Sequence, residues 1–160
     1  MIRIGIGYDV HCLKDGLELW IGGIKIESEK GVVAHSDGDT LIHAICDALL
    51  GAAALHDIGY HFPDNDARYK NIDSKILLKK VIDMIAEKNY SVVNIDSTVC
   101  LQQPKIKPFI GEMQKCLANI MNIDIDNVSI KATTTEQLGF VGREEGIAAY
   151  VVVLIEKIIN

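Results

Sequence analysis

The chain has 160 residues, a net charge of −6 and a hydrophobic share of 49%. This length is typical of one domain, so we expect residues 1–160 to form a single one, and the hydrophobic share suffices for a core and argues against disorder. The acidic balance disfavours nonspecific binding to nucleic acid or to anionic membranes, and no apolar run is long enough for a membrane span.

The first third of the chain predicts two β segments and a helix. Apolar residues alternate over 2–8, which is typical of a strand and unlike a secretory signal. Residues 17–26 are rich in β formers and are broken by a glycine pair, which predicts a hairpin or a bulged strand. A helix with one apolar face is expected from a cap at Asp37 or Asp39 to about Leu55.

The middle of the chain predicts a loop, a helix and a strand. Residues 57–71 are polar and rich in turn formers, and we expect a long loop, of the kind that is often functional. Asp73 or Ser74 is expected to cap a second helix that runs to about Lys88. Residues 91–101 then alternate as a strand does.

The last third predicts a helix followed by two strands. Pro108 is expected in the first turn of a helix that ends near Met121, since proline is tolerated there. Residues 128–132 form a short strand and residues 146–158 the last one. This order predicts an α+β, or mixed α/β, domain with a single sheet and helices packed on one face. The run 147–159 is too apolar for a strand facing water, which predicts subunit association.

Asp9, His11 and His43 form a candidate metal cradle. Asp9 and His11 are two residues apart on a predicted strand end, so both side chains point to the same face. His43 lies early in the first predicted helix. Two imidazoles and a carboxylate suit zinc and leave a fourth position open for chemistry. The alternative is a pair of turn histidines with a capping Asp, and His56 and His61 are interpreted as loop histidines.

Two further segments could contact phosphate. Residues 131–136 offer a lysine, three threonine hydroxyls and a carboxylate after a predicted strand, where hydroxyls and backbone N–H groups suit phosphate oxygens. The loop 139–143 ends in an arginine that could reach a phosphate. The simpler interpretations are a capped, threonine-rich strand and a turn with a solvated charge. Residues 103–108 form a basic approach to a helix, or an ordinary connector.

The four cysteines, at positions 12, 46, 100 and 116, form no C-x-x-C pair and lie in apolar stretches. We interpret them as reduced, buried thiols of a cytoplasmic protein.

Taken together, these stretches resemble the 2-C-methyl-D-erythritol 2,4-cyclodiphosphate synthase family across essentially the whole chain. Each motif is weak alone, but six occur in the order and spacing of that family. They are GYDVH at 7–11, AHSDGD at 34–39, DALLGA at 47–52, DIG at 57–59, FPD at 62–64 and KATTTE at 131–136, and residues 138–140 and 142–143 continue the match.

The resemblance implies a metal-dependent phosphorus–oxygen lyase of the non-mevalonate isoprenoid pathway. Such enzymes are homotrimers with active sites between subunits, and they convert 4-diphosphocytidyl-2-C-methyl-D-erythritol 2-phosphate into the cyclic diphosphate with release of CMP. By this similarity, Asp9, His11 and His43 hold one zinc ion per subunit. Glu136 helps to hold a second divalent cation, Mg²⁺ or Mn²⁺. His35 and Thr134 match the catalytic positions.

The same resemblance implies a set of substrate-binding residues. One segment meets the ribose, one loop covers the methylerythritol, and one segment forms the cytosine pocket of an adjacent subunit. The implied residues are Asp9, His11, Ser36, Asp57, Ile58, Gly59, Phe62, Pro63, Asp64, Asn65, Asp66, Leu101, Gln102, Gln103, Pro104, Lys105, Ile106, Lys107, Thr133, Thr135, Glu136, Phe140 and Arg143. The alternatives are a metal-dependent nucleotide phosphohydrolase and a zinc-containing binding protein without catalysis.

Overall fold

A five-stranded sheet is the frame of the fold in the computed structural model, which describes residues 1–158. The strands are β1 (Ile2–Asp15), β2 (Leu19–Ile21), β3 (Ile24–Ile26), β4 (Lys30–Val32), β5 (Tyr90–Cys100), β6 (Val128–Thr133) and β7 (Gly146–Lys157). The strand order in the large sheet is β4-β1-β7-β5-β6. Only β5 and β6 run parallel among these neighbours. The strands β2 and β3 pair separately, so the predicted single sheet is wrong in this respect.

The helices are α1 (Thr40–Ala52), α2 (Ile58–His61), α3 (Ser74–Glu87), α4 (Ile110–Met121) and α5 (Gly139–Gly142). The long helices α1, α3 and α4 bury their apolar stripes in one core against one face of the large sheet, as predicted. Core residues include Leu49 of α1, Val81 of α3 and Leu117 of α4. Among the helices within residues 1–158, none is long and apolar enough to cross a lipid bilayer.

The start of α1 is tied to the turn between β2 and β3. Asp39 caps α1, and its carboxylate accepts a hydrogen bond from the backbone N–H of Ile42 at 2.9 Å. The same carboxylate accepts from the N–H groups of Gly22 and Gly23 at 2.9 and 2.6 Å. Both glycines have positive φ, 60° and 79°, as a two-residue hairpin turn requires. Asp39 therefore holds the small hairpin against the helix that carries His43.

Two glycines let α1 lie unusually close to β1. A Cβ atom at Gly5 would overlap the carbonyl oxygen of Ala48, and one at Gly7 would overlap that of Ala44. Gly5 and Gly7 are on the inner face of β1, on the same side as Asp9. The close approach brings the first turn of α1 beside the inner-face residues that follow Gly7.

Several predicted boundaries differ from the structure. The first strand extends to Asp15, so Asp9 and His11 lie within β1 and not at its end, and the short strand β4 was not predicted. The predicted loop 57–71 contains α2 and a 3₁₀ turn at Ala67–Tyr69.

The caps and the chain end also refine the predictions. The first helix begins after Asp39 and ends at Ala52, and Asp73, rather than Ser74, caps α3. Pro108 lies in a 3₁₀ turn, Lys107–Phe109, which precedes α4. The predicted apolar run 147–159 ends at Ile159, which lies outside the described residues.

The cysteines form no disulfide with one another, and all four lie within residues 1–158. Cys46 is buried, as predicted, whereas Cys100 and Cys116 are half-buried. Cys12 is exposed, so the prediction of burial is wrong there. The reason is the strand period, because position 12 continues the outward-facing row of Tyr8 and Val10.

Candidate active site

Asp9, His11 and His43 meet, as the sequence predicts. Asp9 and His11 share the inner face of β1, and His43 lies in the first turn of α1. Asp9 Oδ2 lies 2.9 Å from His11 Nδ1 and 3.3 Å from His43 Nδ1. One ligand atom from each residue falls within 4.8 Å of the others, the geometry of a site that could hold a metal ion.

The burial of two cradle atoms without a hydrogen bond fits a site for a cation. Asp9 Oδ2 and His11 Nδ1 are buried and make no hydrogen bond to any residue within 1–158. A buried carboxylate oxygen without a partner is costly, and a cation held between the three side chains would satisfy it. Two imidazoles and a carboxylate are a typical donor set for zinc with an open fourth position.

The electrostatics of the cradle favour an ionised Asp9. Burial alone raises the pKa of Asp9, but the close contacts with His11 and His43 outweigh burial and hold the pKa well below its usual range. Burial lowers the pKa of His43, but Asp9 beside it, with weaker contributions from Asp39 and Asp37, raises it overall. Asp9 is therefore ionised, and its negative charge stabilises a positive charge held beside it, either a proton on His43 or a metal ion.

A cavity of about 400 Å³ opens beside the cradle and contains many of the predicted substrate residues. His35, the predicted catalytic histidine, lines it, and His35 Nε2 lies 3.3 Å from the carbonyl oxygen of Asp66. The lining residues are His11, Val33, Ala34, His35, Ser36, His43, Ile58, Gly59, Phe62, Asp64, Tyr69, Ile72 and Leu77. The predicted ribose segment and methylerythritol loop therefore share one cavity with two of the cradle residues.

Asp47 anchors the predicted ribose segment, and sequence reasoning assigned it no role. Its Oδ1 accepts a hydrogen bond from the backbone N–H of Ile58 at 2.8 Å, which ties α1 to the start of α2. Asp57 caps α2 by accepting from the N–H of Tyr60 at 2.8 Å. Burial, with Asp57 and Asp9 nearby, raises the pKa of Asp47. Helical spacing could not reveal this contact, since the partner is a backbone group in the next element.

The two rival histidines lie outside the cradle. His56 stacks on Tyr60 with ring centroids 4.5 Å apart, and His61 Nε2 lies 2.7 Å from the carbonyl oxygen of Leu55. His61 is the last residue of α2 and not a loop residue as predicted. Phe62, which follows it, is buried against Tyr69 in an edge-to-face contact of 5.4 Å.

The predicted cytosine pocket and threonine run form a second cavity, of about 210 Å³. The strands β5 and β6 are parallel, so they end at the same edge of the sheet, and the cavity lies at that edge. Thr134 Oγ1 donates to Glu136 Oε1 at 3.3 Å, which aligns the predicted catalytic hydroxyl with the predicted metal-binding carboxylate. The lining residues are Leu101, Pro104, Lys105, Ile106, Lys107, Ala132, Thr133 and Thr134.

The two groups of residues do not meet within one chain. In the strand register Thr133 is opposite Cys100, Cys100 is opposite Ala148, and Ala148 is opposite Val10. Val10 lies between Asp9 and His11, so the row from the cradle to Thr133 crosses three strand spacings, roughly 14 Å. The predicted site thus divides into a cradle group and a threonine group on different strands.

The remaining predicted residues line neither cavity among the described residues. Arg143 is paired with Glu145 at 3.0 and 2.9 Å, and Phe140 lies close to Gly146. Gln103 lies in a separate groove beside Glu144. The full set outside both cavities is Asp9, Asp57, Pro63, Asn65, Asp66, Gln102, Gln103, Thr135, Glu136, Phe140 and Arg143.

The fold and the cradle define a class of protein. It is an α+β protein in which an open Asp-His-His cradle borders a cavity sized for a small molecule.

Comparison with known proteins identifies the family within this class. A family model described as the YgbB family matches residues 2–156. A Bacteroides fragilis protein named 2-C-methyl-D-erythritol 2,4-cyclodiphosphate synthase is 62% identical over 157 residues, which are 98% of this chain and 99% of that protein. The chain therefore belongs to the YgbB family of 2-C-methyl-D-erythritol 2,4-cyclodiphosphate synthases.

Solved structures agree with this assignment. The bifunctional IspDF from Campylobacter jejuni matches with a TM-score of 0.95 and 42% identity, over 99% of this chain and 43% of that one. A CDP-bound 2C-methyl-D-erythritol-2,4-cyclodiphosphate synthase matches with a TM-score of 0.89 and 33% identity, over 96% of this chain and all of that one.

Proposed function

We propose that this protein converts 4-diphosphocytidyl-2-C-methyl-D-erythritol 2-phosphate into 2-C-methyl-D-erythritol 2,4-cyclodiphosphate with release of CMP, as a metal-dependent phosphorus–oxygen lyase. The observation that carries the proposal is the Asp9–His11–His43 cradle bordering a cavity with His35 and Ser36, in a chain 62% identical to a curated synthase of that name. We also propose that residues 1–160 are one domain of this type.

The reaction needs positioning and charge stabilisation more than an enzymic nucleophile. The 2-phosphate of the substrate attacks the phosphorus nearer the methylerythritol, and CMP leaves. Anionic groups must therefore be brought together, and fixed donors and cations lower that barrier. Zinc held by Asp9, His11 and His43, and a second divalent cation held in part by Glu136, would supply positive charge at the diphosphate oxygens.

Residues of the chain would orient the substrate at three points. His35 and Thr134 would donate hydrogen bonds to the phosphoryl oxygens on which charge develops. The segment 57–59, anchored by Asp47, would meet the ribose. The segment 101–107, which is anchored by its own buried residues Leu101 and Ile106, would receive the cytosine.

Glu136 has the chemistry of a ligand for the second cation. Its carboxylate is exposed, and one oxygen accepts a hydrogen bond from Thr134 at 3.3 Å. A carboxylate oxygen beside substrate phosphates is a usual environment for Mg²⁺ or Mn²⁺.

A homotrimer would bring the cradle group and the threonine group together. The outer face of the sheet supports association, because Ile2, Ile4 and Ile6 are 62%, 71% and 74% exposed in the single chain. Val152 and the contacting pair Tyr8–Tyr150, whose rings are tilted with centroids 4.9 Å apart, continue this apolar face. We propose that the cytosine pocket of one subunit completes the cradle of its neighbour, at a cytoplasmic location that suits four free cysteines.

The test is a product analysis. The purified protein is incubated with the substrate, zinc and magnesium, and phosphorus NMR follows the cyclic diphosphate and CMP. The metal-dependent nucleotide phosphohydrolase predicted as the alternative would release an open-chain phosphate instead. The cyclic product should appear with the wild type and not with His11→Ala, and an open-chain product from the wild type would refute the proposal.

A further inference from the structure

A buried hydroxyl and a carboxylate lie behind His43, on the side of its ring away from the cradle. Ser74 Oγ is 3.0 Å from His43 Nε2, and Ser74 is fully buried at the start of α3. The carboxylate of Asp37 accepts from both donors of Ser74, from the backbone N–H at 2.9 Å and from the hydroxyl in a shorter contact. Neither Asp37 nor Ser74 is part of the proposed reaction described above.

The direction of these hydrogen bonds follows from their chemistry. An ionised carboxylate can only accept, so the hydroxyl hydrogen of Ser74 points to Asp37. The lone pairs of Ser74 Oγ then face His43, and His43 Nε2 must carry the hydrogen that Ser74 accepts. In a neutral imidazole the free lone pair is then on Nδ1, the atom 3.3 Å from Asp9 Oδ2 in the cradle.

The second neighbour of His43 Nε2 does not set this direction. Ser36 Oγ lies 3.2 Å from Nε2 and accepts a hydrogen bond from the N–H of Gly38 at 3.1 Å. Ser36 lines the cavity, and no carboxylate in residues 1–158 holds its hydroxyl hydrogen. At Nε2 the direction is therefore imposed through Asp37 and Ser74. At Nδ1 the ionised carboxylate of Asp9 accepts a hydrogen unless a metal ion takes the Nδ1 lone pair.

We propose that Asp37 and Ser74 are positioning residues that hold His43 as the Nε2–H tautomer with Nδ1 presented to a metal ion. The inference rests on the metal site of the proposed function. Outer partners that fix the tautomer of a metal-ligating histidine commonly change metal affinity 10- to 100-fold when removed. Here the outer partner is a serine hydroxyl whose orientation is set by a carboxylate.

The hydrogen-bonded series Asp37–Ser74–His43 is called the relay below. Backbone hydrogen bonds also connect the relay to the segment that carries His35. The N–H of Asp37 donates to the carbonyl oxygen of Ile72 at 3.1 Å, and the N–H of Asn71 donates to that of His35 at 2.7 Å. The segment that carries His35 and Asp37 is thus bonded directly to the residues that lead into Ser74. The relay has a fixed geometry because both of its ends lie in this paired backbone.

Asp37→Asn tests the proposal with little change of shape. Asp37 Oδ2 accepts from the N–H of Ser74 and Oδ1 accepts from the N–H of Asp39 at 3.1 Å, so the amide of the variant gives up one of these two bonds. With the amide oxygen on the N–H of Ser74, the amide NH₂ faces Ser74 Oγ. The hydroxyl must then turn toward His43 Nε2, which favours the Nδ1–H tautomer and removes the lone pair from the cradle. Ser74→Ala removes the hydroxyl itself.

The matched control is Asp73→Asn. Asp73 precedes Ser74 and contacts Lys75 rather than His43. Its substitution by Asn removes the same charge as Asp37→Asn does. Asparagine also caps helices as well as aspartate does. We expect Asp37→Asn and Ser74→Ala to weaken zinc binding about 10- to 100-fold in a chelator competition, and Asp73→Asn to stay within about twofold.

A second measurement needs no metal. Nitrogen-15 NMR of the histidine side chains is recorded on the metal-free Asp9→Ala protein, at a pH where His43 is neutral, because this variant lacks the carboxylate that competes for a hydrogen at Nδ1. We expect Nε2–H in the Asp9→Ala protein and after Asp73→Asn is added to it, and Nδ1–H after Asp37→Asn is added. Thermal unfolding confirms that each variant is folded.

Two results would overturn the relay, namely an Nδ1–H tautomer of neutral His43 in the metal-free Asp9→Ala protein, or unchanged zinc affinity in a folded Asp37→Asn variant. A wild type that binds no zinc would refute the proposed metal site instead, and the tautomer measurement would still decide the relay.

Discussion

Asp47 shows how one half-buried carboxylate can hold the segment proposed to meet the ribose and yet cost stability. Its pKa is raised from the usual 3.8 by burial, with Asp57 and Asp9 adding to the effect. The folded state therefore keeps the proton of Asp47 to a higher pH than the unfolded state does. The stability from this group is fully present below pH 3.8 and is lost as the pH rises through the raised pKa.

We expect Asp47→Asn to remove that loss, because the amide stays neutral and still accepts from the N–H of Ile58. The free energy of unfolding of the metal-free variant should decline less than that of the wild type as the pH rises from 4 toward 7. Urea unfolding across this range measures the difference. Asp83→Asn on the exposed side of α3 is the control, and an equal change in both variants would contradict the assignment.

The charge of Glu136 is the second test at the residue scale. Glu136→Gln keeps the shape of the side chain but lacks the negative charge that would hold the second cation. Turnover should therefore fall steeply, while the zinc content stays near that of the wild type. Raised magnesium or manganese should restore part of the rate. Glu87→Gln, an exposed position at the end of α3, is the control, and wild-type turnover by Glu136→Gln in low magnesium would argue against a second cation.

At the scale of elements, the contact between β1 and α1 determines whether the cradle forms. Gly7→Ala adds a methyl group against the carbonyl of Ala44, and α1 must shift away from β1. We expect a loss of about 1–3 kcal/mol in stability from overpacking and weaker zinc binding, because His43 moves with α1. Denaturant unfolding and a zinc titration measure the two effects.

Gly51→Ala is the matched control on the same helix. A Cβ at Gly51 meets no atom within 4 Å, and alanine favours a helix over glycine by roughly 1 kcal/mol. This variant should be as stable as the wild type or more so, with unchanged zinc affinity. Equal losses in the two variants would mean that the approach of α1 to β1 is unimportant.

The elements that sequence patterns predict well are those with one apolar face. Alternation over 2–8 indicates β1 because Ile2, Ile4 and Ile6 share one face, but it cannot show that the strand continues to Asp15. Asp9 and His11 occupy inner positions between the outward-facing Tyr8, Val10 and Cys12, and the alternation ends at Leu13 and Lys14 although the strand continues. The common face of Asp9 and His11 follows from the strand period, which is why two cradle ligands were predictable.

The contacts that complete the site come from parts of the chain far apart in sequence. Asp37 and Ser74 are separated by 37 positions, and no period links them. The distance between the cradle and Thr133 depends on the register across β1, β7, β5 and β6, which the sequence of any one strand leaves open. The resemblance to a family implied the residues of the site, but not these contacts.

At the scale of the whole molecule, the outer face of the sheet predicts the oligomeric state. Light scattering should give about three times the chain mass of 17.6 kDa. Ile6→Lys places a charge on the most exposed of its three isoleucines and should lower the measured mass and the activity together. Ile76→Lys on the exposed side of α3 is the control, and a fully active monomer would refute shared sites.

Complementation tests the sharing of sites directly. His43→Ala damages the cradle group and Thr134→Ala damages the threonine group, so each variant alone should be nearly inactive. After the two are unfolded, mixed in equal amounts and refolded together, about a quarter of the interfaces in random trimers should pair an intact cradle with an intact threonine group. Activity near a quarter of the wild type is expected, whereas no recovery would indicate sites within single chains.

The distance between the cradle and the threonine group has a consequence for gene dosage. With the proposed shared sites, a dissociated chain would carry two half-sites that cannot meet, so each molecule would work only at a concentration that allows assembly. In that range, halving the expression of the protein would cut flux by more than half, because both the number of chains and the assembled fraction fall. Flux would therefore be proportional to expression only when the dissociation constant of the assembly lies below the lowest working concentration of the chain.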